Sequence, residues 1–183
     1  MRIVYRHIRP VAVIYVRGTG CYAAAAKEAW QRLVHWLAAH EARRQVKRAF
    51  GLLHDNPQTT PVELMRYDAC AQMTPEWDAE HYAGISRKTI GGGTYAVRTH
   101  VGSYGTLGGL FSQLHRELVP KQGLSVDYDR AFMAIHLNDP LTTPEVHRRT
   151  ELCVPVVPLP VSMPDDADAH SDCNRPVLRV VRS

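Results

Sequence analysis

The chain has no apolar run long enough to cross a bilayer. The longest near its N-terminus covers only 11–16, whereas a spanning helix needs about 20 such residues. The small-residue cleavage pattern of a signal peptide is missing too, so a cytoplasmic address without a membrane partner is expected. Cysteine is scarce: Cys21, Cys70, Cys153 and Cys173 include no CxxC pair. At this length a disulfide scaffold is unnecessary, and reduced, mostly buried thiols are expected. The 10 histidines lack metal-ligand spacing. His35 and His40 do not share a helical face, and His170 with Cys173 has no second ligand pair nearby, so no metal is expected.

Catalytic and nucleic-acid motifs are absent as well. No Ser/His/Asp or Cys/His arrangement has a recognisable local signature. The glycines at 91–93 lack the lysine and helix of a phosphate loop, so no cofactor is expected. The net charge is +4 with a pI near 9.0, and much of the excess sits at Arg43, Arg44, Lys47 and Arg48. These read as a solvated helix end complementing the C-terminal dipole, with an anionic partner such as DNA or an acidic protein surface as the alternative. No helix-turn-helix, zinc finger or RNA-binding aromatic motif accompanies them, and direct nucleic-acid binding is not expected.

What is present is a globular balance, 45% hydrophobic and 22% charged over 183 residues, enough for one domain with a sizeable core. The chain also resembles itself at an offset of about 82 residues. "VIYVRGTGCY" at 13–22 falls on "YAVRTHVGSY" at 95–104, aligning Gly20 with Gly102 and Tyr22 with Tyr104. "NPQTTP" falls on "DPLTTP", and "RYDAC" at 66–70 falls on "RTELC" at 149–153. Each unit reads as strand–helix–strand–strand. In the first, a strand over 11–17 ends at glycine, a helical stripe runs from Tyr22 to about 42, and strands cover 50–54 and 67–73. In the second, a strand over 95–101 precedes a helix carrying Tyr104, Leu107, Phe111, Leu114 and Leu118, stopped by Pro120 and Gly123, with strands over 132–137 and 150–156. Short leading strands are expected over 3–7 and 85–89.

One unit cannot cover its own sheet. Two units, about 1–80 and 81–158, predict an α+β fold: one antiparallel sheet from duplicated strand–helix–strand–strand units, two helices on one face, and a ligand groove between them. The tail 159–183 reads as loop over 164–174, with a possible edge strand at 177–181.

The segments "VRGTGCY", "HDNPQTTP", "RYDAC", "THVGSY", "LNDPLTTPE" and "TELCVPV" resemble the GyrI-like family, also called the AraC effector-binding domain family, from Met1 to about Pro158. The chain starts directly on the first strand of the unit and looks like a stand-alone version. The resemblance implies small-molecule binding between the halves, in ligand sensing, sequestration or transcription regulation, with a transcription factor as a possible partner. Other relatives imply two alternatives: hydrolysis of reactive cyclopropane-bearing toxins, or inhibition of DNA gyrase by contact. It also implies an acid on a late strand within an aromatic groove, matched here by Glu151.

Asp68 is the repeat mate of Glu151, and both are expected to face the middle of the sheet. There they would favour a cationic amphipathic guest. The competing reading pairs Glu151 with Arg149, Arg148 or Arg66 at the surface. Tyr22 and Tyr104 are expected to overhang the groove ends, and Trp30, Trp36 and Phe111 are helical-stripe residues that either touch ligand or fill core. Tyr67, Tyr95 and His136 depend on strand register. Gly108 and Gly109 inside a helix admit either a ligand or a neighbouring helix. An enzyme would use Glu151 as acid or base with Tyr104 as proton donor. Cys70 and Cys153 at equivalent strand positions suit packing.

Overall fold

The computed structural model describes residues 2–75, 77, 85–119 and 123–159. Pro120, Cys173, His170 and the tail segments at 164–174 and 177–181 lie outside them. The described chain forms strands β1 (Val4–Ile8) and β2 (Val11–Thr19), helix α1 (Tyr22–Ala39), and strands β3 (Val46–Leu53), β4 (Arg66–Met73), β5 (Ser86–Ile90) and β6 (Gly93–Val101). Helix α2 (Leu107–Gln113), β7 (Leu124–Val126), β8 (Phe132–His136) and β9 (Arg149–Pro158) follow. Among the described residues no helix is long and apolar enough to cross a membrane.

All strand pairs are antiparallel, in the order β1-β6-β9-β8-β3-β4-β2-β5, with β7 added beside β9. The order is symmetric about the β8–β3 contact: β2 takes the place of β6, β4 of β9 and β5 of β1. The leading strands do not flank their own halves, because β1 pairs with β6 and β5 with β2. Only Arg9 and Pro10 join β1, at one edge, to β2 near the other, and Gly91 and Gly92 make the reciprocal link. Links this short force the sheet to curl, bringing the two links together. The two links touch, since a Cβ on Gly92 would stand 2.7 Å from the Pro10 ring.

Curling gives the two faces different cores. Strand side chains alternate, so Ile14, Tyr67, Ala69 and Ala71 pack under Ala25, Ala29, Leu33 and Leu37 of α1. Ala96, Ala134, Leu152 and Val154 pack under Phe111 and Leu114 of α2 and its continuation. Both helices therefore lie on one face. The intervening side chains (Val13, Phe50, Leu52, Cys70, Val97, Met133, Ile135 and Cys153) form one cluster inside the curl.

Before each helix the chain turns on a glycine with positive φ, Gly20 at 105° and Gly102 at 125°, a conformation that side chains disfavour. Helix α1 stops at Ala39, short of the expected 42. Glu41 takes the left-handed region at φ 51°, and the chain tightens into a 3₁₀ turn at Ala42–Gln45. The basic stretch is therefore not a helix end: Arg43 and Arg44 lie on that turn, and Lys47 and Arg48 open β3. Helix α2 is shorter than the pattern predicted, with a 3₁₀ turn at Tyr104–Thr106 before it and a π-helical turn at Leu114–Leu118 after it. β7 was not anticipated; three residues are too few to show a period.

Candidate functional site

The helices leave a groove over β3 and β8. At one end Leu53 and Phe132, cross-strand partners, floor a cavity of about 270 Å³. Gly108, Phe111, Ser112 and His115 wall it from α2 and the π turn, Tyr22 from the start of α1, and 54–57 with Tyr128 and Arg130 close its end. Phe111 and His115 are one turn apart, so the same helical face presents both rings. Ring centroids separate by 6.2 Å for Phe111–Phe132, 5.4 Å for His115–Phe132, 6.0 Å for Tyr128–Phe132 and 6.5 Å for His115–Tyr128. A Cβ on Gly108 or Gly109 would meet nothing within 4 Å, so the helix glycines admit open space, which at Gly108 is the cavity, rather than a neighbouring helix.

The charged groups around the cavity are already compensated. The Tyr22 hydroxyl donates to the Asp55 carbonyl at 2.6 Å and accepts from its N–H at 2.8 Å; burial pushes its phenol up to about 12. Arg66 bonds the Asp55 carboxylate at 2.7 Å and holds it below the usual range against the opposing effect of burial. Arg130 pairs with Asp127 at 2.6 Å and donates to the carbonyls of Gly92 and Val156.

The other end of the groove is filled. Trp30 packs on His136 with centroids 5.2 Å apart, Tyr104 packs on it at 5.1 Å, and the Trp30 indole donates to the Tyr67 hydroxyl at 2.9 Å. Both His136 nitrogens, the Tyr104 hydroxyl and the Thr150 hydroxyl are buried without a partner among the described residues. Burial alone brings the His136 pKa down to about 4. Size decides which end is open. Trp30 and Ala26 stand where the other half has Ser112 and Gly108, at an offset of 82 residues, and both Ser112 and Gly108 line the cavity. Large side chains close one end, and small ones leave the cavity at the other.

The two acids do not stand at the base of the groove. Tyr67, Ala69 and Leu152, Val154 face the helices, so alternation turns Asp68 and Glu151 to the opposite face, beside Cys70 and Cys153. Asp68 is fully buried and bonded by Arg17 at 2.7 and 2.9 Å, His54 at 2.6 Å and Lys88. Burial works to raise its pKa, but those three partners outweigh it and hold the carboxyl far below the usual range. Glu151 pairs with Arg6 rather than with Arg149, Arg148 or Arg66. Lys88 and Arg6 occupy matching places on the exchanged strands: Lys88 pairs with Val13 and Arg6 with Tyr95.

Among the other expected residues, Tyr22 and Phe111 line the cavity, while Tyr104, Tyr67 and His136 gather at the closed end. Trp36 lies away from both, stacked on His40 at 4.2 Å and near Trp77. Tyr95 lies on the opposite face under Arg130. Burial pushes the Cys70 and Cys153 thiols up to about 12, consistent with packing. Leu53, His115, Tyr128 and Phe132 were not anticipated. The four-residue spacing of Phe111 and His115 was the one signal available; Tyr128 sits in an irregular segment with no period to read.

Comparison with known proteins places this geometry in context. Residues 1–157 match the GyrI-like small molecule binding domain. The probable transcriptional regulator YgiV of Escherichia coli (strain K12) is 32% identical over 76 residues, covering 42% of this chain and 47% of YgiV. The chain thus matches about half the length of that relative. Among solved structures, the C-terminal domain of EcmrR superposes with a TM-score of 0.65 at 15% identity, over 86% of this chain and 98% of that one. SAV2435 bound to tetraphenylphosphonium gives 0.62 at 14% identity, over 86% and 94%. At such identities the likeness is one of fold.

Proposed function

The chain belongs to the GyrI-like small molecule binding domain family, and from that premise we propose that it takes up a lipophilic aromatic molecule, delocalised cations included, in the cavity between α1 and α2. The observation that carries this reading is the convergence of five rings, Tyr22, Phe111, His115, Tyr128 and Phe132, on one cavity. Apolar burial contributes about 25 cal/mol per Å², and a cation over a ring face adds roughly 0.5–2 kcal/mol. Ring faces therefore replace a carboxylate as the source of cation preference, since Asp68 and Glu151 lie across the sheet with cations of their own. The tetraphenylphosphonium held by SAV2435 is a ligand of this class. The regulatory relatives support a role in ligand sensing, and sequestration needs no more than the same cavity.

Titration with tetraphenylphosphonium tests the proposal. Phe111→Ala and Phe132→Ala should each weaken binding tenfold or more, whereas Glu151→Gln should stay within twofold of wild type. If Glu151→Gln abolished binding while both cavity variants left it intact, the ligand would occupy the opposite face and the proposal would fail.

A further inference from the structure

We infer that His115 is a hydrogen-bond acceptor inside the aromatic cavity and selects aromatic ligands carrying an O–H or N–H donor; this rests on the cavity reading above. One contact sets the tautomer. Nδ1 of His115 lies 2.8 Å from the Phe111 carbonyl oxygen, one turn back. A carbonyl only accepts, so Nδ1 carries the proton and donates, and in the neutral ring Nε2 keeps a bare lone pair. Burial lowers the pKa of the ring, against the opposing effect of the Phe111 bond, which keeps it neutral at pH 7.

Nε2 is buried and has no partner among the described residues, on a side chain that lines the cavity and is 6% exposed. Leaving a buried acceptor unsatisfied is costly, and a ligand donor placed there recovers part of that cost without competition from bulk water. The π-helical turn at Leu114–Leu118 carries the residue, and such turns recur at functional sites. Tyr22, His54, Asp55 and Arg130 of the lining are engaged elsewhere: Tyr22 with Asp55, Asp55 with Arg66, His54 with Asp68 and Arg130 with Asp127. The half-exposed Tyr128 ring stands nearly perpendicular to the imidazole, at 86°. A phenol or an aromatic amine supplies a donor for Nε2; an ether or a bare hydrocarbon does not.

The probes are 2-naphthol and its methyl ether, 2-methoxynaphthalene, which share a ring system and differ in the donor. Wild-type protein should bind the naphthol about tenfold more tightly. His115→Phe should bring the two affinities within twofold of each other, and His115→Gln, whose amide oxygen supplies an acceptor, should restore part of the difference. In ¹⁵N spectra of the wild type, the unprotonated Nε2 resonance should shift with the naphthol and stay still with the ether. Equal affinities in the wild type, or a preference undiminished in His115→Phe, would overturn the acceptor role while leaving the cavity reading intact. Uptake of neither probe, nor of tetraphenylphosphonium, would remove both.

Discussion

His136 ties the closed end of the groove to a measurable pH dependence. Its ring packs against both Trp30 and Tyr104, and neither nitrogen has a partner among the described residues. Burial lowers its pKa from the ordinary 6.5 to about 4 in the folded protein. Between those values the unfolded chain binds a proton that the folded chain refuses, so stability falls as pH falls. The full loss, reached below pH 4, is about 3 kcal/mol at 1.36 kcal/mol per pKa unit. By pH 5 roughly 2 kcal/mol of it should already be gone. Urea unfolding at pH 7.5, 6.5, 5.5 and 5.0 should therefore give a steeper decline for wild type than for His136→Phe. The variant keeps ring volume and removes both unpartnered nitrogens, so at pH 7.5 it should be within about 1 kcal/mol of wild type or more stable. Other groups, His115 included, titrate in both proteins and drop out of the difference. Identical pH slopes for the two would refute the reasoning, because the buried imidazole would then have been satisfied or hydrated all along.

Gly108→Leu should separate stability from binding. Removing a glycine from the helix stabilises by roughly 0.5–1 kcal/mol, and a Cβ there meets nothing within 4 Å. The melting temperature should rise by about 1–4 °C, whereas tetraphenylphosphonium affinity should fall at least tenfold as the side chain fills the cavity. Asp68→Asn should destabilise by about 3 kcal/mol, the lower end of what breaking a buried pair costs, because Arg17 is 39% and Lys88 20% exposed at the side chain and regain some hydration. Since the folded Asp68 carboxyl is held low, its contribution is present at neutral pH and disappears as pH falls below the unfolded value of about 4. Urea unfolding at pH 7 and in acid should show the variant's deficit shrinking with acidification.

The amino-acid pattern alone determined the run of strands and helices apart from β7, the paired glycine turns before Tyr22 and Tyr104, the helical stripes of α1 and α2, and the family-level motifs. These are local signals: periods of 2 and 3.6, and turn residues at fixed offsets. It also fixed relative facing along each strand, so that Asp68 had to oppose Tyr67 and Glu151 had to oppose Leu152. Which of the two faces receives the helices is not a local property. Pairing of β3 with β8, the exchange of β1 and β5 between halves, and the curl forced by two-residue links decided it. That decision put both acids across the sheet from the groove, each with a cation from an exchanged strand. The site followed the same rule. Phe111 and Tyr22 were readable as helix residues, but their company with His115, Tyr128 and Phe132 arises only when α2 settles over β8. The cavity itself is lined by Ser112 and Gly108, small where Trp30 and Ala26 are larger, a difference of volume that has no meaning until packing brings those positions together.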